Sequence, residues 1–341
     1  MPIFSQAPTR VDLAGGTLDI WPLYLFHQNS QTVNFAVNYH ARCRLTPRRD
    51  DRIELISRDL HRRETFTSFD TLARTKKFRL PLLARLVIAF QPRSGFTLET
   101  ESDAPAGAGL GGSSALNIAV CGALSRFVGS KLSPSKLIDV ARNVEAQVLR
   151  VPTGEQDYYS AIYGGIQAIC LRPHGVWADK LDVHPGELSA RVVLCYTGQS
   201  RNSGINNWEV MKAHVDGKRL VIRQFDRIAA LAGEMRQSLE ERDWQRAARL
   251  LRQDWEARKR NHPGITTNRI EELTAVARRH GSLAAKACGA GGGGCVVFFV
   301  ESDAKQRVEF ALRQAGARLL PLQISARGLR VANSESLPHS H

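Results

Sequence analysis

Between Pro105 and Ala115 the chain reads Pro105-Ala106-Gly107-Ala108-Gly109-Leu110-Gly111-Gly112-Ser113-Ser114-Ala115, small residues and two hydroxyls set just before an apolar helical pattern over 115–127. Backbone amides at the start of that helix lack partners within it and point toward the glycine turn. Together with the positive end of the helix dipole they attract an anion. Residues 95–101 (GFTLETE) alternate as a strand does, so strand, glycine loop and helix follow in the order a phosphate-binding loop requires. No Gly-Lys-Ser/Thr follows the glycines, which excludes a Walker loop and leaves the phosphate charge to be met by other residues. Taken alone, the loop reads equally well as a glycine turn without a ligand.

The elements around the loop are also patterned. Alternating apolar positions predict strands over 32–45 and 52–58. Ser133 as cap and Pro134 at the first helical position begin a helix through Ile138, Ala141, Val144, Glu145 and Val148, which Pro152-Thr153-Gly154 ends. A short segment over 155–162 leads to a buried strand over 166–171. A further strand is predicted over 191–196, then amphipathic, Arg/Glu-laced helices over about 206–280. Strand character returns at 295–300, followed by a helix over 304–315 and a strand over 318–324.

Bulk properties narrow the function classes. With 341 residues the chain exceeds the ~250–300 at which single cores stop growing, so two lobes are expected. We divide it into an N-terminal lobe over 1–190, a C-terminal lobe over 191–333 and a mobile tail over 334–341. The composition, 43% apolar and 23% charged, is that of a soluble globular protein, and no apolar run approaches the ~20 residues that span a bilayer. The N-terminus shows no basic segment followed by an apolar run, so no membrane partner and a cytoplasmic address are expected. Six cysteines lie far apart inside apolar runs, which reads as buried thiols rather than a disulfide framework or zinc site. The net charge of +14 favours anionic partners. It is scattered among acids and apolar residues, so nucleic-acid binding is a rival reading without a motif of its own.

Three glycine-bearing motifs stand in order: Ala7-Pro-Thr-Arg-Val-Asp-Leu-Ala-Gly-Gly-Thr-Leu-Asp19, the loop at 105–115, and Lys286-Ala-Cys-Gly-Ala-Gly-Gly-Gly-Gly-Cys295. In that order and content the chain resembles the GHMP small-molecule kinases over nearly its whole length. Gly154-Glu-Gln-Asp-Tyr-Tyr, Tyr196-Thr-Gly-Gln-Ser-Arg-Asn-Ser and Trp255-Glu-Ala-Arg-Lys make it most similar to the branch that phosphorylates heptose 7-phosphates. The resemblance implies an α+β fold of two lobes, with mixed and antiparallel sheets covered by helices and a cleft between lobes where ATP and Mg²⁺ meet a small sugar or sugar phosphate. The assembly would be a monomer or homodimer.

It also implies residue roles. Asp157 would accept the proton of the attacking hydroxyl, and Arg10 would steady charge beside it. Pro105, Gly107, Gly109, Leu110, Gly111, Gly112, Ser113, Ser114 and Ala115 would hold ATP. Ser113 and Glu145 would hold Mg²⁺, which takes few protein ligands, all oxygen. Asp19 would accept hydrogen bonds from acceptor hydroxyls, with Gly16, Thr17, Arg201, Gly291 and Gly292 also on the substrate side. Two positions depart from the heptose branch. Leu18 stands where a threonine would offer a sugar contact, and Glu155 where a lysine is usual, putting an acid that would repel phosphate beside the acceptor site. Neither touches the residues assigned to phosphoryl transfer, so a kinase for another alcohol, such as galactose, fucose or mevalonate, is the alternative within enzymes.

Overall fold

A computed structural model describes residues 1–200 and 203–333. Its strands are β1 (Ile3–Ala14), β2 (Gln31–Pro47), β3 (Ile53–Ser57), β4 (Arg62–Phe66), β5 (Phe96–Ser102), β6 (Ile166–Arg172), β7 (Gly175–Lys180), β8 (Val192–Tyr196), β9 (Ser282–Ala287), β10 (Cys295–Val300), β11 (Arg318–Leu319) and β12 (Arg330–Ala332). The first sheet runs β12-β1-β2-β5-β3-β4, with β6 on the other part of β2 and β7 beyond it; the second runs β11-β8-β10-β9. β3 and β5 pair in parallel and the other pairs are antiparallel, so the fold is α+β with one mixed and one antiparallel sheet. β2 is long enough to serve β5 with its second half and β6 with its first. Register shifts in β1 at Pro8/Thr9 and Asp12/Ala14 bend the strand that carries Arg10 and Asp12.

Helix Gly112–Phe127 lies against β1 and β2 and is flanked by helices Pro134–Leu149 and Gln156–Tyr163. Helices Arg219–Glu240 and Trp244–Lys259 pack on each other and reach β1, while the second also covers β9. Val33 and Phe35 of the first sheet share an apolar cluster with Val297 and Phe299 of the second, so the two sheets are joined through one buried layer. All six cysteines are buried thiols. No helix among the described residues is long and apolar enough to cross a membrane.

Two expectations are corrected. The strand over 318–324 shrinks to β11 because Pro321 has no amide to continue the ladder; Ile324 makes only an isolated bridge to Val37. The helix behind the glycine loop begins at Gly112, not Ala115. β12 pairs with Phe4 to Gln6 of β1 and covers that edge of the first sheet. Residues 334–341 lie outside the described residues.

Candidate active site

The glycine loop over 105–115 forms a turn that glycine makes without strain. Gly107, Gly109 and Gly111 have φ of 69°, 78° and 74°, a region closed to most side chains. Both lobes hold this turn: the Arg10 amide donates to the Leu110 carbonyl at 2.9 Å, and the Cys295 amide to the Ala108 carbonyl at 2.7 Å. Leu110 is buried in the cluster shared by the sheets and anchors the loop from beneath. Gly111 caps helix Gly112–Phe127, so the first-turn amides carrying Ser113 and Ser114 face a cleft of about 810 Å³.

The opposite wall of that cleft is helix Gln156–Tyr163, with Asp157 in its first turn. Asp157 packs directly on the loop, since a Cβ added to Gly111 would lie 3.0 Å from its carboxyl group. Arg10, 4% exposed, donates through Nε to Asp157 Oδ1 at 2.7 Å, with Nη2 2.6 Å from the same oxygen, while Nη1 donates to the Gly109 carbonyl at 2.6 Å. One guanidinium therefore fixes the carboxylate relative to the turn.

Glu145 projects from helix Pro134–Leu149 to the same place. Its Oε2 accepts from Ser114 Oγ at 2.9 Å and from the Tyr158 hydroxyl at 2.6 Å. Burial pushes its pKa up, and the hydrogen bonds from Tyr158, Ser113 and Ser114 oppose that rise. Among the described residues Glu145 belongs to no ion pair, and no group of three His, Cys, Asp or Glu could hold a metal ion. A buried carboxylate without a cationic partner, next to serine hydroxyls and a site for phosphates, fits an oxygen-seeking cation such as Mg²⁺ that takes most of its ligands from water and phosphate. Glu145 with Ser113 or Ser114 would hold it.

Another part of the cleft is built on the turn after β1. Asp19 is 2% exposed; its Oδ2 accepts the Gln156 amide at 3.0 Å, and Oδ1 accepts from Gln156 Nε2 at 3.3 Å. Gly154 is needed there, since any Cβ would come within 2.3 Å of Asp19 Oδ2. Burial pushes the Asp19 carboxyl up to about 7 against the Gln156 amide, and the nearby Asp157 charge adds to the rise. Thr17 also lines the cleft, as do Gly289 and Ala290 of the third glycine motif.

Other expected site residues fall elsewhere. Ala115 is fully buried in the core behind the loop. Gly16 lies against Asp12 and Arg258 rather than the cleft, a Cβ there meeting Asp12 Oδ2 at 2.6 Å. Gly291 and Gly292 pack on the turn Pro263–Ile265, where the Gly292 amide donates to the Ile265 carbonyl at 2.7 Å. Arg201 lies outside the described residues. Leu18 is a core residue, so its position offers no contact to a sugar. Glu155 is 2% exposed, is paired with Arg142 at 2.5 Å and does not line the cleft.

Sequence reasoning missed four charges beneath the turn over 15–19. Lys286 Nζ lies 2.8 Å from Asp12 Oδ2 and 2.7 Å from Asp254 Oδ2, and Arg258 Nη1 lies 3.6 Å from Asp12 Oδ2. All four residues are at most 1% exposed. Burial alone would push Asp12 up, but Lys286, Arg258 and Arg10 beside it hold it well below the ordinary carboxylate range. The available signal was charge inside apolar runs, as in Val11-Asp12-Leu13 and Ala284-Ala285-Lys286-Ala287.

The GHMP kinases N terminal domain matches residues 78–165 and the GHMP kinases C terminal domain matches residues 235–318. The chain belongs to the GHMP kinases. Among relatives of this GHMP kinase, a D-glycero-alpha-D-manno-heptose 7-phosphate kinase of Campylobacter jejuni is 27% identical over 96% of this chain and 98% of its own. A mevalonate kinase of Thermococcus sibiricus is 28% identical over 71% of this chain and 70% of its own. In fold, a D-glycero-D-manno-heptose 1-phosphate kinase from Bacteroides thetaiotaomicron superposes with a TM-score of 0.79 at 24% identity, covering 98% of this chain and 100% of that one.

Proposed function

We propose that this GHMP kinase transfers the terminal phosphoryl group of ATP to a hydroxyl of a heptose phosphate. One observation carries the reading: Asp157 is seated on Gly111 of the phosphate loop and locked to Arg10 in a cleft that also contains Asp19. ATP phosphates would rest on the amides of Gly112 to Ser114. The acceptor hydroxyl would donate its proton to Asp157 as its oxygen bonds to the γ-phosphorus, the bridging P–O bond breaks, and ADP departs. Arg10 would keep the carboxylate aligned through this step. Mg²⁺ at Glu145 and Ser113 or Ser114 would supply neutralisation of phosphate charge.

The acceptor end favours a polyol. Asp19 and Asp157 accept hydrogen bonds from hydroxyls, which suits the several hydroxyls of a sugar. Arg201 would take the acceptor's phosphate; it precedes Asn207, whose Oδ1 lies 3.4 Å from Thr17 Oγ1. ATP consumption across hexoses, heptoses, their phosphates and mevalonate tests the reading, with turnover expected for heptose phosphates. Turnover of mevalonate alone would overturn the sugar assignment. Asp157→Asn should lower kcat by at least ~10²-fold while ATP affinity, measured by calorimetry, persists. Unchanged turnover would show that the base is elsewhere.

A further inference from the structure

Arg258 lies behind the cleft, on helix Trp244–Lys259, and is 1% exposed. Its Nη2 donates to Thr17 Oγ1 at 3.2 Å and to the Gly289 carbonyl at 2.6 Å. Both acceptors border the cleft, one from the turn after β1 and the other from the third glycine motif. Thr17 has φ of 75°, a conformation that a β-branched residue adopts only when its surroundings impose it. The Thr17 side chain is held from two sides, by Arg258 and by Asn207 Oδ1 at 3.4 Å. Asp19 follows Thr17 by two positions on the same turn.

We infer that Arg258 is a positioning residue for the acceptor: by gripping Thr17 and Gly289 together, it keeps the turn over 15–19 in its strained form and so aims Asp19 at the sugar. The buried charges make the grip rigid. Asp12 holds Arg258 and, through Oδ1, accepts the Gly289 amide at 3.0 Å; Asp254 accepts the Gly15 amide at 3.0 Å; Lys286 ties the two carboxylates together. Gly15 and Thr17 of that turn, together with Gly289 of the third glycine motif, are thereby fastened to the buried charges of β1, helix Trp244–Lys259 and β9. Among the described residues none of the side chains of Asp12, Asp254, Arg258 and Lys286 hydrogen-bonds the loop at 105–115, so the larger effect is expected on the acceptor.

This inference rests on the kinase reading, and two kinds of measurement separate their failures. The proteins are wild type, Arg258→Lys, Thr17→Gly and the double variant, assayed with whichever acceptor of the panel wild type turns over best. Lysine keeps the charge opposite Asp12 but loses the fork, and glycine adopts the left-handed turn without help. Arg258→Lys should raise the acceptor KM about ten- to a hundredfold, with the ATP KM within a factor of two. In the Thr17→Gly background the same change should cost several-fold less. Hydrogen exchange, which needs no turnover, should quicken at residues 15–19 in Arg258→Lys and stay unchanged in helix Gly112–Phe127. An unaltered acceptor KM, an equal rise in both KM values, an equal penalty in both backgrounds, or unaltered exchange at 15–19 would each overturn the proposal. Should Arg258→Lys fail to fold, Thr17→Gly against wild type decides by exchange alone: slower or unchanged exchange at 15–19 supports a strained turn, and faster exchange refutes it.

Discussion

Asp19 and Asp157 are two carboxylates in one cleft whose surroundings differ. Asp157 is paired with a guanidinium, whereas Asp19 is buried against backbone and holds its proton up to about pH 7. An unfolded aspartate loses its proton near pH 4, so between about 4 and 7 the native state binds more protons than the unfolded state at this site. Stability from Asp19 is therefore full below pH 4 and is lost as pH rises to 7. Asp19→Asn, which has no charge to bury, should be more stable than wild type at pH 8 by about 2–4 kcal/mol, with the gap closing toward pH 4. Urea denaturation at the two pH values measures this, and a constant gap would rule the proton out as the cause. The ionised form is the better acceptor of sugar hydroxyls, so kcat/KM for the acceptor should fall below pH 7 in wild type, and that limb should be absent from the residual activity of Asp19→Asn.

At the scale of elements, the phosphate loop and the helix Gln156–Tyr163 meet at one point, Gly111. The residue is both the left-handed cap of helix Gly112–Phe127 and the floor on which Asp157 sits. Gly111→Ala adds a methyl 3.0 Å from the carboxyl group at a φ of 74°, so both the turn and Asp157 must shift. A misplacement of about 1 Å costs on the order of 10²-fold in rate, and kcat of Gly111→Ala should fall by about that much. Circular dichroism should show the helices intact. The loop glycines were legible in the sequence because glycine takes those dihedrals without strain, and the cap Ser133 was legible because its hydroxyl accepts the Lys136 amide. The strand over 318–324 was misread because apolar alternation was weighed above Pro321, whose missing amide ends the pairing.

Across the whole molecule, Asp12, Asp254, Arg258 and Lys286 join β1, helix Trp244–Lys259 and β9 in a dry cluster of balanced charge. Such a cluster stabilises little in itself but punishes the loss of one member, because a buried charge is left unpaired. Lys286→Met would leave two carboxylates facing one guanidinium. It should lower unfolding free energy by about 3–5 kcal/mol, read from the denaturation midpoint in urea. A loss under about 1 kcal/mol would mean that water reaches the cluster.

By itself the sequence determined what local rules can encode: a glycine loop ahead of a helix, a capped helix carrying Glu145, an acid in a short segment after Gly154, and thiols in apolar runs. The ordered motifs then tied those pieces to one family. Only the tertiary structure decided which side of the backbone each residue serves. It turned Leu18 into the core, paired Glu155 with Arg142, and set Gly291 and Gly292 against the turn at Ile265. It also brought Asp12 within reach of Lys286 and Arg258, partners far along the chain. Facing and long-range pairing are fixed by packing between distant segments, and neither composition nor spacing along the chain records which segments will meet.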